Sequence, residues 1–137
     1  MSLVSFDGEG SFTVYIRDPR SFSNRRRRVK AEPRFFLKLQ DTDKQILSDL
    51  KKFFGCGNVY FQKDTRPQHR HCYRFEVTKR DDLNDIIIPF FRRNRLKFAS
   101  KKRDFEIFCA IMEEIKKGSH LTDSGLIKIY EMKQKMH

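Results

Sequence analysis

The sequence predicts an α+β domain, a four-stranded antiparallel sheet covered by helices on one face. Four segments alternate apolar and polar residues with a period of two, the pattern of half-buried strands. Between and after these segments, apolar residues recur at helical spacing. The side of the strands expected to face outward is mostly cationic and hydrogen-bonding, whereas an ordinary solvent face mixes charges of both signs. Helices on one side of an antiparallel sheet leave its other face free for such residues.

Residues 3–9 are short and apolar and end in Gly8-Glu9-Gly10, which reads as the last turns of a helix. Ser11 to Asp18 alternates, with Phe12, Val14 and Ile16 on one face and Ser11, Thr13, Tyr15 and Arg17 on the other. Pro19 to Arg28 is a loop closed by four consecutive arginines, Arg25 to Arg28. Lys30 to Gln40 is again strand-like, with Phe35, Leu37 and Leu39 inward and Arg34, Phe36, Lys38 and Gln40 outward. Asp41-Thr42-Asp43 supplies a helix cap, and Ile46, Leu47, Leu50, Phe53 and Phe54 follow at helical spacing up to Gly55.

A second hairpin comes next. Asn58 to Lys63 puts Val59 and Phe61 inside, and Arg70 to Thr78 does the same with Tyr73, Phe75 and Val77. Asp81 to Phe91 is a short helix carrying Leu83, Ile86 and Ile87. Lys101 to Lys117 is a longer one, apolar along Phe105, Phe108, Ile111, Met112 and Ile115, with Gly118 as terminator. Thr122 to Met136 closes the chain as a helix bearing Leu126, Ile127, Ile129, Tyr130 and Met132. The order is α-β-β-α-β-β-α-α-α.

With 137 residues, 14 of them Phe, the chain has the length and apolar material for one domain with one core. Thirty Lys and Arg against 18 Asp and Glu give a formal charge of +12, which points to a polyanion, with nucleic acid as the first expectation. A membrane role is not expected. The longest apolar run, Ile86-Ile87-Ile88-Pro89-Phe90-Phe91, is broken by proline, and no signal-peptide pattern is present. Met1-Ser2-Leu3 is open to reading as a vector remnant. Cys56, Cys72 and Cys109 have no paired spacing, which favours a reducing, intracellular setting. His69, His71 and Cys72 invite a zinc reading but lack a second ligand pair, and alternation along a strand accounts for them more simply.

The outward face collects Tyr15, Arg17, Arg34, Lys38, Gln40, Tyr60, Gln62, Arg70, Arg74 and Glu76. These side chains suit phosphates and the base edges of a major groove. Lys30, Lys63, Arg66 and the run Arg25, Arg26, Arg27 and Arg28 flank it as further candidate DNA contacts. The arginine run is either a phosphate-gripping loop or a solvated tip.

Phe6-Asp7-Gly8-Glu9-Gly10-Ser11-Phe12 resembles the end of the signature of the LAGLIDADG homing endonucleases and related intron maturases, in its Asp-Gly-Glu-Gly-Ser-Phe variant. The resemblance extends over nearly the whole chain. Lys38-Leu39-Gln40 with Asp43, Ile46 and Leu47 is similar to the family's second strand and following helix. Phe54-Gly55-Cys56-Gly57-Asn58-Val59 resembles its turn into the third strand. Ile87-Ile88-Pro89-Phe90-Phe91, with Leu96, Ser100-Lys101 and Asp104-Phe105, resembles its Ile-Ile-Pro-x-Phe and Lys-x-x-Asp-Phe segment. His120-Leu121-Thr122 with Gly125-Leu126 and Ile129 is similar to its closing block.

The resemblance implies the αββαββα fold of that family with extra C-terminal helices. It also implies a single-motif subunit that works as a homodimer on double-stranded DNA, with a divalent cation, Mg2+ or Mn2+. A carboxylate at a helix end beside glycines can hold a hard cation together with backbone and phosphate oxygens, so Glu9 is the expected metal ligand and catalytic acid. Gly8 is expected to lend a carbonyl, and Asp7 to hydrogen-bond near the helix end. Lys101 matches the family's pocket lysine, with Lys102 adjacent. Gln40 matches a polar residue that positions solvent near the metal, and a plain DNA contact remains an alternative for it.

Leu3, Val4 and Phe6 fall where two motif helices pack in the family. Leu3 and Val4 replace the usual small residues, so this helix is expected to be atypical and shortened. The expected function is a site-specific DNA endonuclease acting for a mobile intron or intein. A non-cleaving binder of the same fold, such as an intron RNA maturase or a decayed endonuclease, is the alternative. The expected location is intracellular, in a bacterial or archaeal cytoplasm or an organelle.

Overall fold

The computed structural model describes residues 10–21, 29–40, 44–62, 72–94 and 99–136. The predicted motif helix, the arginine run and the Asp41-Thr42-Asp43 cap lie outside them. In chain order the elements are β1 (Gly10–Tyr15), β2 (Glu32–Gln40), α1 (Lys44–Phe54), β3 (Asn58–Gln62) and β4 (Cys72–Val77). There follow α2 (Arg80–Asp82), a π-helical turn (Leu83–Ile87), α3 (Ile88–Arg93), α4 (Ala99–Lys116), a 3-10 turn (Ser119–Leu121) and α5 (Asp123–Lys133). The strands form a four-stranded antiparallel sheet in the order β1-β2-β4-β3. From the first strand onward, strands and helices appear in the predicted order.

Two compact units divide the chain, residues 1–11 with 35–95, and residues 12–34 with 96–137. In the first, β4 pairs antiparallel with β2 and β3, and the register sets Phe35 opposite Val77 and places Leu37 and Val59 on either side of Phe75. Among the described residues the buried apolar side chains are Phe35, Leu37, Leu50, Phe54, Phe75, Val77, Leu83, Ile87, Ile88 and Phe91. Phe54 stacks on Phe75 with ring centroids 6.1 Å apart, and Phe90 meets Phe54 edge-on at 5.1 Å. Helix α1 ends where expected. Gly55 takes φ +69° and returns its N–H to the Lys51 carbonyl at 2.9 Å, the left-handed stop that glycine adopts without a Cβ penalty.

Three expectations in this unit change. Phe61 lies on the inward side of β3 yet is 52 % exposed, because β3 is the edge strand; the ring leans on Tyr73 at 5.2 Å. Phe53 and Ile46 are also exposed, Phe53 by 54 %, so only the Leu50 and Phe54 side of α1 is buried by the sheet. In the segment after β4, the Ile88 N–H bonds to the Leu83 carbonyl five residues back. This wider turn shifts the apolar face, burying Leu83, Ile87 and Ile88 and leaving Ile86 half-buried. Pro89 follows in the first turn of α3 and has no N–H to return to the preceding π-helical turn.

In the second unit Phe12 and Val14 of β1 are buried with Val29, Ala31, Phe108, Ile111, Met112, Ile115, Leu126 and Ile129. Phe12 meets both Phe105 and Phe108 of α4 at 5.1 Å. β1 ends at Tyr15 rather than Asp18, so Ile16 and Arg17 lie beyond the strand. Gly118 follows the end of α4 as predicted, and Thr122 caps α5 by accepting the Gly125 N–H at 3.0 Å. Among the described residues no helix is long and apolar enough to cross a membrane.

Candidate nucleic-acid interface

Alternation along each strand sends every second side chain to the outer side of the sheet. In the first unit the register lines up Lys38, Arg74 and Tyr60 across β2, β4 and β3, and beside them Phe36, Glu76 and Asn58. Lys38, Asn58 and Tyr60 are exposed, Tyr60 by 49 %. The outward direction predicted for Lys38, Tyr60 and Arg74 is the observed one.

Arg74 is not a loose cation. Its guanidinium carbon lies 3.9 Å from the centroid of the Phe36 ring, and its Nη2 donates to Glu76 Oε1 at 3.3 Å. The side chains are only 17 % and 10 % exposed. A cation over an aromatic face contributes about 0.5–2 kcal/mol, more as water is excluded. The charge of Glu76, buried on a sheet face, is offset by the same guanidinium, as a buried carboxylate requires. Phe36 and Glu76 therefore fix Arg74; period alone sets Glu76 beside it, whereas the part of Phe36 needs the strand pairing.

The second unit repeats the device more openly. Arg34 lies 4.5 Å over the Tyr15 ring and donates from Nη2 to Glu32 Oε2 at 3.2 Å. Tyr15 is 43 % exposed; Arg17 and Lys30 are exposed. Lys101 sits in the first turn of α4, half-buried, with Lys102 exposed beside it.

Gln40 ends β2 with its backbone opposite Cys72, and Gln62 ends β3 opposite the same residue. Glu9, Gly8, Leu3, Val4, Phe6, Arg25, Arg26, Arg27, Arg28, Lys63, Arg66 and Arg70 lie outside the described residues, as do His69 and His71 of the weighed zinc cluster. Among the described residues no group of three or more His, Cys, Asp or Glu side chains gathers as metal ligands.

A groove of about 960 Å³ opens in the first unit between the end of α1, the Gly55–Gly57 turn and the end of β4, and Asn58 and Glu76 are among its lining residues. Lys51, Lys52, Lys79, Cys56 and Asp82 line it, and none of the residues expected to be catalytic does. Burial, with the Asp82 charge second, pushes the Cys56 thiol above its ordinary value, which disfavours the thiolate.

The family model of the LAGLIDADG endonucleases matches residues 6–112. The chain belongs to that family. It is 36% identical over 103 residues to a probable intron-encoded endonuclease 2 of Neurospora crassa, a stretch covering 75% of this chain and 22% of that protein. It is 31% identical over 101 residues to a probable intron-encoded DNA endonuclease 1 of Mycosarcoma maydis, covering 74% of this chain and 32% of the relative. The chain thus spans between about a fifth and a third of the length of the curated relatives it matches.

Among solved structures, the homing endonuclease I-TnaI superposes with a TM-score of 0.78 at 34% identity, covering 98% of this chain and 85% of that one. I-GzeII in complex with its DNA target superposes with a TM-score of 0.79 at 30% identity, covering 96% and 40%. I-SmaMI bound to an uncleaved DNA target in the presence of calcium ions follows at a TM-score of 0.77 and 26% identity, covering 95% and 41%. The family expected from the sequence blocks is the family found.

Proposed function

We propose that this chain is a site-specific DNA endonuclease of the homing type, which reads a duplex in the major groove with its sheet and makes a metal-dependent double-strand break as a homodimer. The observation that carries this reading is the family match over residues 6–112, which takes in Glu9, Gln40 and Lys101 together. The names of the relatives, and the DNA in the I-GzeII and I-SmaMI structures, support it. Residues 1–137 are read as one endonuclease domain in an intracellular setting.

The donor set suits a hard cation. The Glu9 carboxylate and the Gly8 carbonyl offer the oxygen ligands that Mg2+ or Mn2+ takes. When bound, such an ion neutralises charge developing on the phosphate and activates water. Gln40 would orient solvent, and Lys101 would place a cation beside the phosphate oxygens. Arg25 to Arg28, Lys63, Arg66 and Arg70 would grip phosphates around the sheet residues Tyr15, Arg34, Lys38, Tyr60, Gln62 and Arg74. Leu3, Val4 and Phe6 would form the contact between two copies, which gives each DNA strand its own Glu9 and calls for a nearly palindromic target.

The test uses the full chain, a randomised duplex library and Mg2+, with the cut ends sequenced. The expected result is cleavage of both strands at one defined sequence, lost in Glu9→Gln while that sequence is still bound. Sequence-specific binding by the unaltered chain without any cut would sink the endonuclease reading and leave a non-cleaving binder. An intron maturase would then show itself by retaining intron RNA.

A further inference from the structure

We propose that Arg74 is the guanine-reading residue of the sheet and that Phe36 and Glu76 are its positioning residues, which set base specificity without touching the DNA. The inference rests on the sheet being the DNA surface, as proposed above, and names what one part of that surface would recognise.

The register places Arg74 on the middle strand of three, directly between Lys38 and Tyr60, both exposed. A long flexible arginine loses rotamer freedom when it grips a base, and that loss weakens discrimination. Here the freedom is removed before DNA arrives. Phe36 supports the flat face of the guanidinium at 3.9 Å, and Glu76, two residues along the same strand, holds Nη2 at 3.3 Å. A guanidinium backed by a ring and bonded to a carboxylate through Nη2 is confined to one plane.

Planar N–H donors in a fixed fork match the O6 and N7 acceptors of guanine, the commonest specific major-groove contact of arginine. A phosphate grip needs no such restraint, because phosphate accepts a cation from many directions. Two restraints on one arginine therefore point to a base edge. The carboxylate of Glu76 also neutralises Arg74, which lowers its use as a non-specific phosphate anchor.

The experiment selects bound duplexes from a randomised pool, using the full chain in calcium buffer, and compares it with Arg74→Lys, Glu76→Gln and Phe36→Leu. The unaltered chain should enrich guanine at one position of each half-site by roughly tenfold or more, the worth of one bidentate contact. Each variant should flatten that position and leave the preferences at the others standing. Arg74→Lys keeps the charge and Glu76→Gln keeps the volume, so thermal melts of these two show that loss of fold is not the cause.

Guanine enrichment that persists in both Glu76→Gln and Phe36→Leu would overturn the positioning role. Equal flattening of every position would reduce the cluster to a structural one and overturn it as well. An unaltered chain that retains no duplex from the pool would instead defeat the underlying DNA-binding reading, an outcome distinct from either.

Discussion

A Cβ placed on Gly57 would come within 2.7 Å of Cε2 and Cζ of Phe75, so the turn into β3 rests directly against a fully buried ring. The position also takes φ +90°, a conformation that side-chain-bearing residues rarely adopt. Phe75 cannot yield, because Phe54 stacks on it and β2 and β3 flank its strand. Gly57→Ala is expected to cost about 2–4 kcal/mol, the combined scale of overpacking and a forced positive φ. Urea unfolding of the full chain checks it, and a loss below the scatter of the measurement would contradict this packing.

The junction of α4 and α5 depends on Thr122, whose Oγ1 accepts the Gly125 N–H at 3.0 Å while a Cβ on Gly125 would collide with the Ser119 carbonyl. Thr122→Ala should cost about 1 kcal/mol, as loss of a helix N-cap does, and Thr122→Ser should retain most of it. Equal stability of the two variants would show that the hydroxyl is not the cap.

Glu114 gives the second unit a pH dependence. Its carboxylate accepts from Lys128 Nζ at 2.8 Å and from Ser119 Oγ at 2.6 Å, and the Lys128 bond, followed by that of Ser119, holds its pKa below the ordinary carboxylate value. A folded-state pKa below the unfolded one adds stability above the unfolded value, which is lost as pH falls through the folded one. The contribution is thus intact at neutral pH, begins to fall as the pH drops below about 4.5, the ordinary glutamate value, and is gone only below the lower folded-state pKa. Glu114→Gln should make the acid side of the stability profile shallower while leaving its alkaline side unchanged. A profile identical to that of the unaltered chain would remove Glu114 from the account.

The arginine run offers a prediction that depends on sequence and charge alone. If Arg26 and Arg27 grip phosphates, replacing both with Gln should reduce the slope of log binding constant against log salt by about one unit for each phosphate no longer held. Base preferences should stay as they were. An unchanged slope would mean that the arginine run does not meet the DNA.

How much of this could be read from the chain differs from element to element. The alternation of Phe35, Phe36, Leu37 and Lys38 predicted both the strand and the direction of each side chain, because a pleat leaves only two faces and burial chooses between them. Gly55 and Gly118 marked helix ends through their backbone freedom. Lys38-Leu39-Gln40, the Gly55–Gly57 turn and the Ile87-Ile88-Pro89 segment pointed to the family, since each is a local pattern read along the chain.

What periodicity could not supply was decided by neighbours distant in sequence. Phe61 has the right alternation for the interior, but its strand order put it on an edge where half the ring meets solvent. Ile86 and Ile88 exchanged roles because one wide helical turn rotated the apolar face. Arg74 read as one more outward cation until the antiparallel pairing of β2 with β4 brought Phe36 beneath it; Glu76, two residues along the same strand, lies beside it by period alone. Local sequence carries the period and the charge of a strand; which rows face each other is a property of the paired strands, and it determines what an outward arginine can do.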